Sequence, residues 1–399
     1  MKKTPKLRFP EFSGGWEEKK VSNVFHKVRN SVDVDVNKTY KQIGIRSHGK
    51  GIFYKDQVTG KELGNKRVFW VEPNVFVVNI VFAWERAVAR TTEKEIGMIA
   101  SHRFPMYKPK EGILDLDYIT YFFKTNKGRT LLELASPGGA GRNKTLGQKE
   151  FDNLDIIIPK VEEQKKIASI LSILDKKIEK QQKKVEELQE YKKGIMQKLF
   201  SQEVRFKDEN GKEYPEWQEN NLSEVLKERK TYSNKGLEYP HVTLSKDGIY
   251  DKGERYERDF LVKTEDKNYK ITLLGDICYN PANLKFGVIC TNNYGSAIFS
   301  PIYVTFEVKK SFNNNYVGYF LMRRDFIDKV RRYEEGTVYE RMAVKPVDFL
   351  KYKTTFPCLK EQEKIANLFL KIDNKINKEQ EKLNLLNIWK KGLLQQMFI

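Results

Sequence analysis

The sequence has few of the residues that build metal sites, disulfide frameworks and membrane spans. Its three cysteines (Cys278, Cys290 and Cys358) are odd in number and lack C-x-x-C spacing, so we expect reduced thiols without zinc. The four histidines are scattered without ligand spacing. No apolar run approaches the roughly 18 residues that cross a bilayer, and no apolar stretch follows the N-terminal lysines as in a signal peptide. These absences predict a cytoplasmic protein that does not enter the membrane.

Recognisable catalytic motifs are also missing. Asn280-Pro281-Ala282-Asn283 lacks the second proline and the final aromatic residue of the adenine-methyltransferase tetrapeptide, and that aromatic stacks on a flipped base. The glycine-rich stretch 137–141 follows a predicted helix instead of opening one after a strand, and no G-x-x-x-x-G-K-(S/T) loop is present. The 54 acidic residues leave a nuclease carboxylate cluster open, although no pattern indicates one. We therefore predict no catalytic residue and no bound metal.

The composition is that of a folded, basic protein of two domains. The chain has 399 residues, which is more than one hydrophobic core usually supports, and 39% of them are apolar. Its 73 basic and 54 acidic residues leave a formal charge of +19. Such an excess favours a polyanionic partner, either nucleic acid or an anionic membrane surface.

One long helical segment occurs twice, 198 residues apart. The first copy opens P-K-V-E-E-Q-K-K-I-A at Pro159 and closes Y-K-K-G-I-M-Q-K-L-F at Phe200. The second opens P-C-L-K-E-Q-E-K-I-A at Pro357 and closes W-K-K-G-L-L-Q-Q-M-F at Phe398. Over 43 aligned positions the copies are identical at 18. A repeat this long in otherwise dissimilar sequence predicts a duplicated fold.

The duplication extends into the sequence that precedes each helix. L-R-F with a following tryptophan (Leu7 to Trp16) corresponds to V-R-F and its tryptophan (Val204 to Trp217), and D-Y-I-T-Y-F-F-K corresponds to N-Y-V-G-Y-F-L-M. The latter two stretches predict short helices whose aromatic residues face a core. We expect an α+β fold in which two similar mixed α/β domains are separated by two long helices. The predicted boundaries are 1–158, 159–201, 202–356 and 357–399.

The two helices carry matched heptad seams. Apolar residues recur every 3.5 positions over about five heptads, which predicts a coiled coil. Polar residues interrupt both seams at equivalent places, Gln181/Glu379 and Lys192/Lys390, and such breaks fix register. Because one chain holds two seams of equal length, we favour an antiparallel coiled coil within the molecule over a homodimer.

These motifs resemble those of the specificity (S) subunits of Type I restriction-modification systems. The resemblance rests on P-x-x-x-E-Q-x-K-I-A, on K-K-G-x-x-Q-x-x-F and on the L-R-F lead-in, and it covers essentially the whole chain. It implies that each domain reads one half of a split double-stranded DNA site, while the helices set the gap. The implied partners are two methyltransferase (modification) subunits and restriction/translocase subunits. Those partners would bind S-adenosylmethionine, ATP and Mg²⁺, so the resemblance implies no cofactor in this chain.

Residues that read DNA are expected in the loops between the matched anchors, where the two halves diverge. Arginine pairs geometrically with guanine and asparagine with adenine, and lysine on phosphates adds affinity. The candidates are Arg46, Ser47, His48, Lys50, Arg86, Arg90, Arg142, Asn143, Lys144, Ser245, Lys246, Lys285, Asn292, Asn293, Tyr339 and Arg341.

Two other functions stay open at this point. A self-contained methyltransferase or nuclease with unfamiliar motifs would show activity without a partner. A basic coiled-coil scaffold without sequence preference would bind all duplexes equally once salt is controlled.

Overall fold

The computed structural model describes residues 4–138, 144–234, 238–252, 268–334 and 342–399. The chain forms two compact units. Unit 1 comprises Met1–Lys184 together with Glu379–Ile399, and unit 2 comprises Val185–Lys378. Each unit therefore contains one globular domain and parts of both long helices.

Unit 1 is built from short strands and helices that precede the first long helix. Its strands are Glu17–Lys20, Phe25–Val28, Thr39–Tyr40, Ile43–Ile45, Ile52–Tyr54, Val58–Thr59, Val68–Trp70, Phe76–Val78, Val88–Arg90, Ile99–Ser101, Met106–Pro109 and Asp155–Ile158. Its short helices and 3₁₀ turns are Val21–Val24, Gly60–Leu63, Ala83–Glu85, Glu93–Glu95, Leu116–Lys124, Asn126–Leu134 and Gln148–Asp152.

Unit 2 repeats this order with different loops. Its strands are Gln218–Asn221, Leu226–Glu228, Tyr232–Asn234, Val242–Ser245, Gly248–Asp251, Asn268–Thr272, Ile277–Tyr279, Ile289–Thr291, Ala297–Phe299, Val304–Val308 and Lys353–Phe356. Its short helices and 3₁₀ turns are Leu222–Val225, Pro281–Phe286, Asn314–Leu321, Arg324–Val330, Arg331–Tyr333 and Pro346–Lys351.

A four-stranded antiparallel sheet has the same order in both units. In unit 1 the order across the sheet is Phe25–Val28, Met106–Pro109, Phe76–Val78 and Val88–Arg90. In unit 2 it is Leu226–Glu228, Val304–Val308, Ile277–Tyr279 and Ile289–Thr291. The duplication predicted from the sequence is therefore present in the backbone topology.

A second strand pair closes each domain at the base of its long helix. Glu17–Lys20 pairs with Asp155–Ile158, and Gln218–Asn221 pairs with Lys353–Phe356. The chain leaves each pair directly into a long helix, which begins at Val161 in the first copy. The first and last strands of each domain thus fix where the helix starts.

The long helices span Val161–Phe200 and Leu359–Gln396, which agrees with the repeated segments. The predicted seam positions, which run from Ile167 to Leu199 and from Ile365 to Met397, are all buried or half-buried. In unit 1, Gln181 donates to Glu379 at 2.8 Å, and Lys390 pairs with Asp175. Positions closer to the start of the first helix therefore meet positions closer to the end of the second, so the pairing is antiparallel.

Unit 2 contains the equivalent pairing. Lys192 donates to Asp373 at 2.6 Å, again with antiparallel register. The predicted class, α+β with two similar mixed domains and two long antiparallel helices, is confirmed.

Aromatic residues join each domain to the end of a long helix. Phe398 packs on Tyr118 at 5.2 Å between ring centroids, and on Phe122 at 6.2 Å. In unit 2, Phe200 packs in the same way on Tyr316 and Phe320. Each domain is therefore sealed by the end of the helix that follows the other domain in sequence. The predicted core role of the tyrosine-rich short helices is confirmed, since Tyr118 and Tyr316 are fully buried.

Two findings concern elements that the structure does not contain. No helix in the described ranges is long and apolar enough to cross a membrane. Among the same residues, no group of three or more His, Cys, Asp or Glu side chains could hold a metal ion.

Candidate nucleic-acid interface

The candidate interface of unit 1 centres on the loop of a β-hairpin. Strands Ile43–Ile45 and Ile52–Tyr54 pair antiparallel, and residues 46–51 connect them. The His48 amide donates to the carbonyl of Glu85 at 2.7 Å, and the Gly49 amide donates to that of Arg86 at 2.8 Å. These bonds hold the loop against the turn that contains Ala83–Glu85. The loop is consequently preorganised, which lowers the entropy lost on binding.

The backbone of this loop needs unusual conformations. His48 has φ of 61°, in the left-handed region where residues other than glycine are uncommon. A Cβ on Gly49 would come within 2.9 Å of the Lys124 side chain, so a side chain here would force a shift. The loop therefore sits tightly on the end of the Leu116–Lys124 helix.

Of the predicted arginines of unit 1 that the structure describes, Arg46 is exposed, whereas Arg86 and Arg90 form hydrogen bonds within the domain. Arg46 is exposed, with its guanidinium 5.2 Å from the ring centre of Phe53. Arg86 donates to the carbonyl of Lys124 at 3.2 Å. Arg90 donates to both Asp117 and Asn74. Arg46 is thus free to reach a ligand, whereas Arg90 is held inside the domain.

The remaining unit 1 candidates lie around this loop or apart from it. Lys50 and His48 are exposed, and Ser47 is half-buried. Lys144 is ion-paired with Glu133 at 2.7 Å. Arg142 and Asn143 lie outside the described residues.

Unit 2 has the equivalent hairpin with a much shorter connection. Strands Val242–Ser245 and Gly248–Asp251 are joined by Lys246 and Asp247 alone. The Ser245 hydroxyl accepts from the amide of Asp247 at 3.1 Å and donates to the carbonyl of Gly248 at 3.4 Å. Ser245 therefore shapes the turn, and Lys246 is exposed at its tip.

A cleft of about 470 Å³ lies beside the unit 2 hairpin. Its walls come from the hairpin turn, from Thr291 at the end of a sheet strand and Asn293 just after it, and from Lys192 and Lys193 of the long helix. The corresponding helix lysine of unit 1, Lys390, pairs with Asp175 of the other long helix. The cleft gives unit 2 a recess into which a polar ligand group could reach.

The other unit 2 candidates have different environments. Asn292 is fully buried, and its amide donates to Thr272 and Gly295 while its oxygen accepts from two backbone amides. Asn292 therefore stabilises a turn, and its buried amide is not available to bind DNA. Lys285 is half-buried over the ring of Phe286. Tyr339 and Arg341 lie outside the described residues.

The sequence predictions missed the contacts that fix each long helix to its domain. Tyr121 donates to Asp175 at 2.8 Å, and Tyr319 donates to Asp373 at 2.7 Å. Each carboxylate also receives a lysine from the opposite helix, which for Asp373 is Lys192. The tyrosine and the aspartate of the first pair each recur 198 residues later, in the second pair. This recurrence is the sequence signal from which the contact could have been predicted.

A second missed contact joins the lead-in motif to the helix start. Arg8 donates through Nε and Nη2 to the carboxylate of Glu163, both at 2.8 Å. Arg205 makes the same two bonds to Glu361, at 3.2 and 2.9 Å. The arginine of L-R-F or V-R-F and the glutamate of E-Q-x-K-I-A therefore form one clamp in each unit.

The fold and the interface together define a class of protein: a basic, two-site binding protein with a repeated scaffold and dissimilar recognition loops. Residues 14–190 match the family model of the Type I restriction modification DNA specificity domain. The chain is similar over nearly its whole length to specificity subunits of Type I restriction-modification systems.

Relatives match over nearly the whole chain. The Type I restriction enzyme MjaVIII specificity subunit of Methanocaldococcus jannaschii is 24% identical over 405 residues, covering 94% of this chain and 90% of that protein. The Type-I restriction-modification system S subunit from M. genitalium shares the fold with a TM-score of 0.59 and 15% identity, covering 99% of each chain. A chain from a structural study of complex assembly and conformational transition in the type I R-M system has a TM-score of 0.58 and 15% identity, covering 97% of this chain and 98% of that one.

Proposed function

We propose that the chain recognises an asymmetric, bipartite site on double-stranded DNA, and that the domain of each unit reads one half of it. One observation carries this proposal. The two units share sheet order, arginine clamp and tyrosine–aspartate pairs, yet their hairpin loops differ in length and residues. A repeated scaffold with different loops gives one chain two different DNA-binding surfaces, so the two half-sites should differ.

The exposed hairpin residues are suited to this task. In unit 1 they are Arg46, His48 and Lys50, and in unit 2 they are Lys246 and the nearby Asn293. Arginine bidentate to guanine and asparagine to adenine supply base discrimination, whereas lysine contacts to phosphate add affinity that weakens with salt. Arg90 and Lys144 support the interface from within the domain, because their charges are already paired.

The recognition domains are assigned to residues 1–158 and 202–356, with the spacer helices at 159–201 and 357–399. The first helix has 40 residues and a length of roughly 60 Å at 1.5 Å per residue. We assign to these paired helices the gap between half-sites and the recruitment of the methyltransferase and restriction subunits. S-adenosylmethionine, ATP and Mg²⁺ then belong to those partners, as expected for a non-catalytic specificity subunit.

Methylome sequencing of cells that express the complete system tests the proposal most directly. The expected result is methylation at one split motif with two different halves and a fixed gap. Arg46→Ala with Lys50→Ala should relax one half only, and Lys246→Ala with Asn293→Ala should relax the other only. Methyl transfer by the isolated chain, or equal affinity for all duplexes at one salt concentration, would refute the proposal.

The helices are tested by changing their length. Removing one heptad from each long helix, at facing positions, preserves both seams and shortens the pair by about 10 Å. The motif should keep both half-sites and change its gap. An unchanged gap would show that the helices do not set the spacing.

A further inference from the structure

Unit 1 has a basic groove that the hairpin interface does not include. Two cavities, of about 220 and 550 Å³, adjoin at His102 and Phe104, which line both. We call the combined surface the basic groove. Its charged residues are Lys27, Arg29, Lys55, Lys66, Arg67 and Arg103.

The cations of the basic groove are not ion-paired within the part of the chain that the structure describes. No aspartate or glutamate lines either cavity, and in the described part of the chain none of the six forms an ion pair. Burial lowers the pKa of Lys27, Asp152 acts in the opposite direction, and the neighbouring Arg29 lowers this pKa further. Six unpaired like charges repel one another, and a bound anion would relieve that repulsion.

The backbone holds these cations on rigid elements. The His102 amide donates to the carbonyl of Arg67 at 3.1 Å, and the Ile80 amide donates to that of Arg103 at 3.0 Å. The Lys55 amide donates to Gln42 at 2.9 Å at the base of the hairpin. The groove is therefore part of the sheet framework and does not depend on ligand-induced folding.

The equivalent edge of unit 2 is neutralised internally. Its strand Leu226–Glu228 occupies the same sheet position as Phe25–Val28 of unit 1. Arg229 forms two hydrogen bonds to Asp276, at 2.7 and 2.9 Å, and Lys270 pairs with Glu228 at 3.1 Å. The same fold can thus satisfy its own charges at this edge, and unit 1 does not.

The groove leads towards the hairpin loop of unit 1. Phe82, which is 39% exposed, lines the larger cavity and directly precedes the turn Ala83–Glu85. The hairpin loop is hydrogen-bonded to that turn through the amide of His48. A strand of nucleic acid lying in the groove would therefore continue to the loop.

We propose that the basic groove binds the sugar–phosphate backbone of the DNA duplex whose bases the hairpin loop of unit 1 reads. This inference rests on the proposed function. It assigns to the groove a contribution to the affinity for DNA and no part in base preference. Phosphodiester oxygens match the guanidinium and ammonium donors, and the exposed ring of Phe82 offers an apolar surface for a sugar or a base.

The test is the salt dependence of DNA binding by the full chain, purified with its modification subunits. Arg67→Gln with Arg103→Gln removes two groove charges, and Lys20→Gln with Lys38→Gln is the matched control. Both control lysines belong to unit 1, are at least half exposed and lie near carboxylates outside the groove. Affinity is measured between 50 and 200 mM salt on the methylome-defined duplex and on a scrambled duplex. Thermal melting checks that each variant folds.

In the groove variant, the plot of log affinity against log salt should be less steep by roughly 2, because each of the two lost phosphate contacts contributes about 0.9 to the slope. Over this fourfold salt range, that corresponds to roughly tenfold less loss of affinity than in the wild type. The preference for target over scrambled duplex should stay unchanged, and the control should keep the wild-type slope.

Different failures have different readouts. The groove assignment is overturned if the groove variant keeps the wild-type slope, or if the slope of the control falls equally. In either case, a preference of the wild type for the target duplex still supports the proposed function. A wild type without target preference overturns the proposed function itself. Equal binding of an RNA duplex of the same sequence would overturn the assignment to DNA.

Discussion

Removing the arginine of the unit 2 clamp should be strongly destabilising. Glu361 is fully buried, and the side-chain bonds to its carboxylate come from Arg205. The indole nitrogen of Trp217, which is also buried, has no hydrogen-bond partner in the described structure. Arg205→Ala would leave a buried charge without its partner, and breaking a buried pair in this way costs about 3–5 kcal/mol.

Unit 1 provides an internal comparison for this prediction. Glu163 receives Arg8 and also the indole N–H of Trp16, at 3.3 Å. Arg8→Ala therefore leaves one donor in place, and a hydrogen bond to a charged group is worth about 1.5–3 kcal/mol. We expect Arg8→Ala to cost about 1.5–3 kcal/mol less than Arg205→Ala.

Denaturant unfolding with separate probes for the two units measures both costs. Arg205→Ala combined with Glu361→Gln should recover part of the loss, because the uncompensated charge is gone. A cost below about 1 kcal/mol for Arg205→Ala, or no recovery in the double variant, would refute the reasoning from a buried charge.

Three further predictions concern the helices. Hydrogen bonds from Gln181 and then from two lysines hold the pKa of Glu379 at about 2, below its ordinary 4.5. The ionised Glu379 carboxylate therefore stabilises the fold fully above about pH 4.5, and this stabilisation is lost as pH falls towards 2. In Glu379→Gln, Tm should fall less steeply over that pH range. An unchanged dependence of Tm on pH would contradict this. Tyr319→Phe should cost about 1–1.5 kcal/mol and couple to Asp373→Asn in a double-mutant cycle, whereas additive effects would exclude the pair. Phe398→Ala should cost about 3 kcal/mol in the unfolding of unit 1, and a loss seen only in unit 2 would contradict the packing described here.

The repeat made the long helices predictable. Heptad spacing and matched polar breaks identify the seam, and proline two residues before each helix marks its start. The aromatic residues of D-Y-I-T-Y-F-F-K were placed in the core for the same reason, since helical periodicity reports which face is buried. Local patterns of this kind depend only on residues a few positions apart.

The interface was less predictable because its geometry depends on distant residues. Arg8 and Glu163 are 155 positions apart, so no local pattern links them. Arg90 was selected as a loop arginine, but its position opposite Asp117 is set by how a strand packs on a helix. The basic groove was missed for the same reason, because its cations come from separate segments of the chain.

The sealing of each domain by the other copy's helix has a consequence for synthesis on the ribosome. The core of unit 1 includes Leu393, Met397 and Phe398, and the amide of Leu7 bonds to the carbonyl of Gln396 at 2.9 Å. The first domain to be translated therefore needs residues that are translated after the second domain before its core is complete. Unit 2 already has its helix end, Phe200, when its own domain appears. We expect the second domain to mature first during translation, with the first held incomplete until the end of the second long helix has been made.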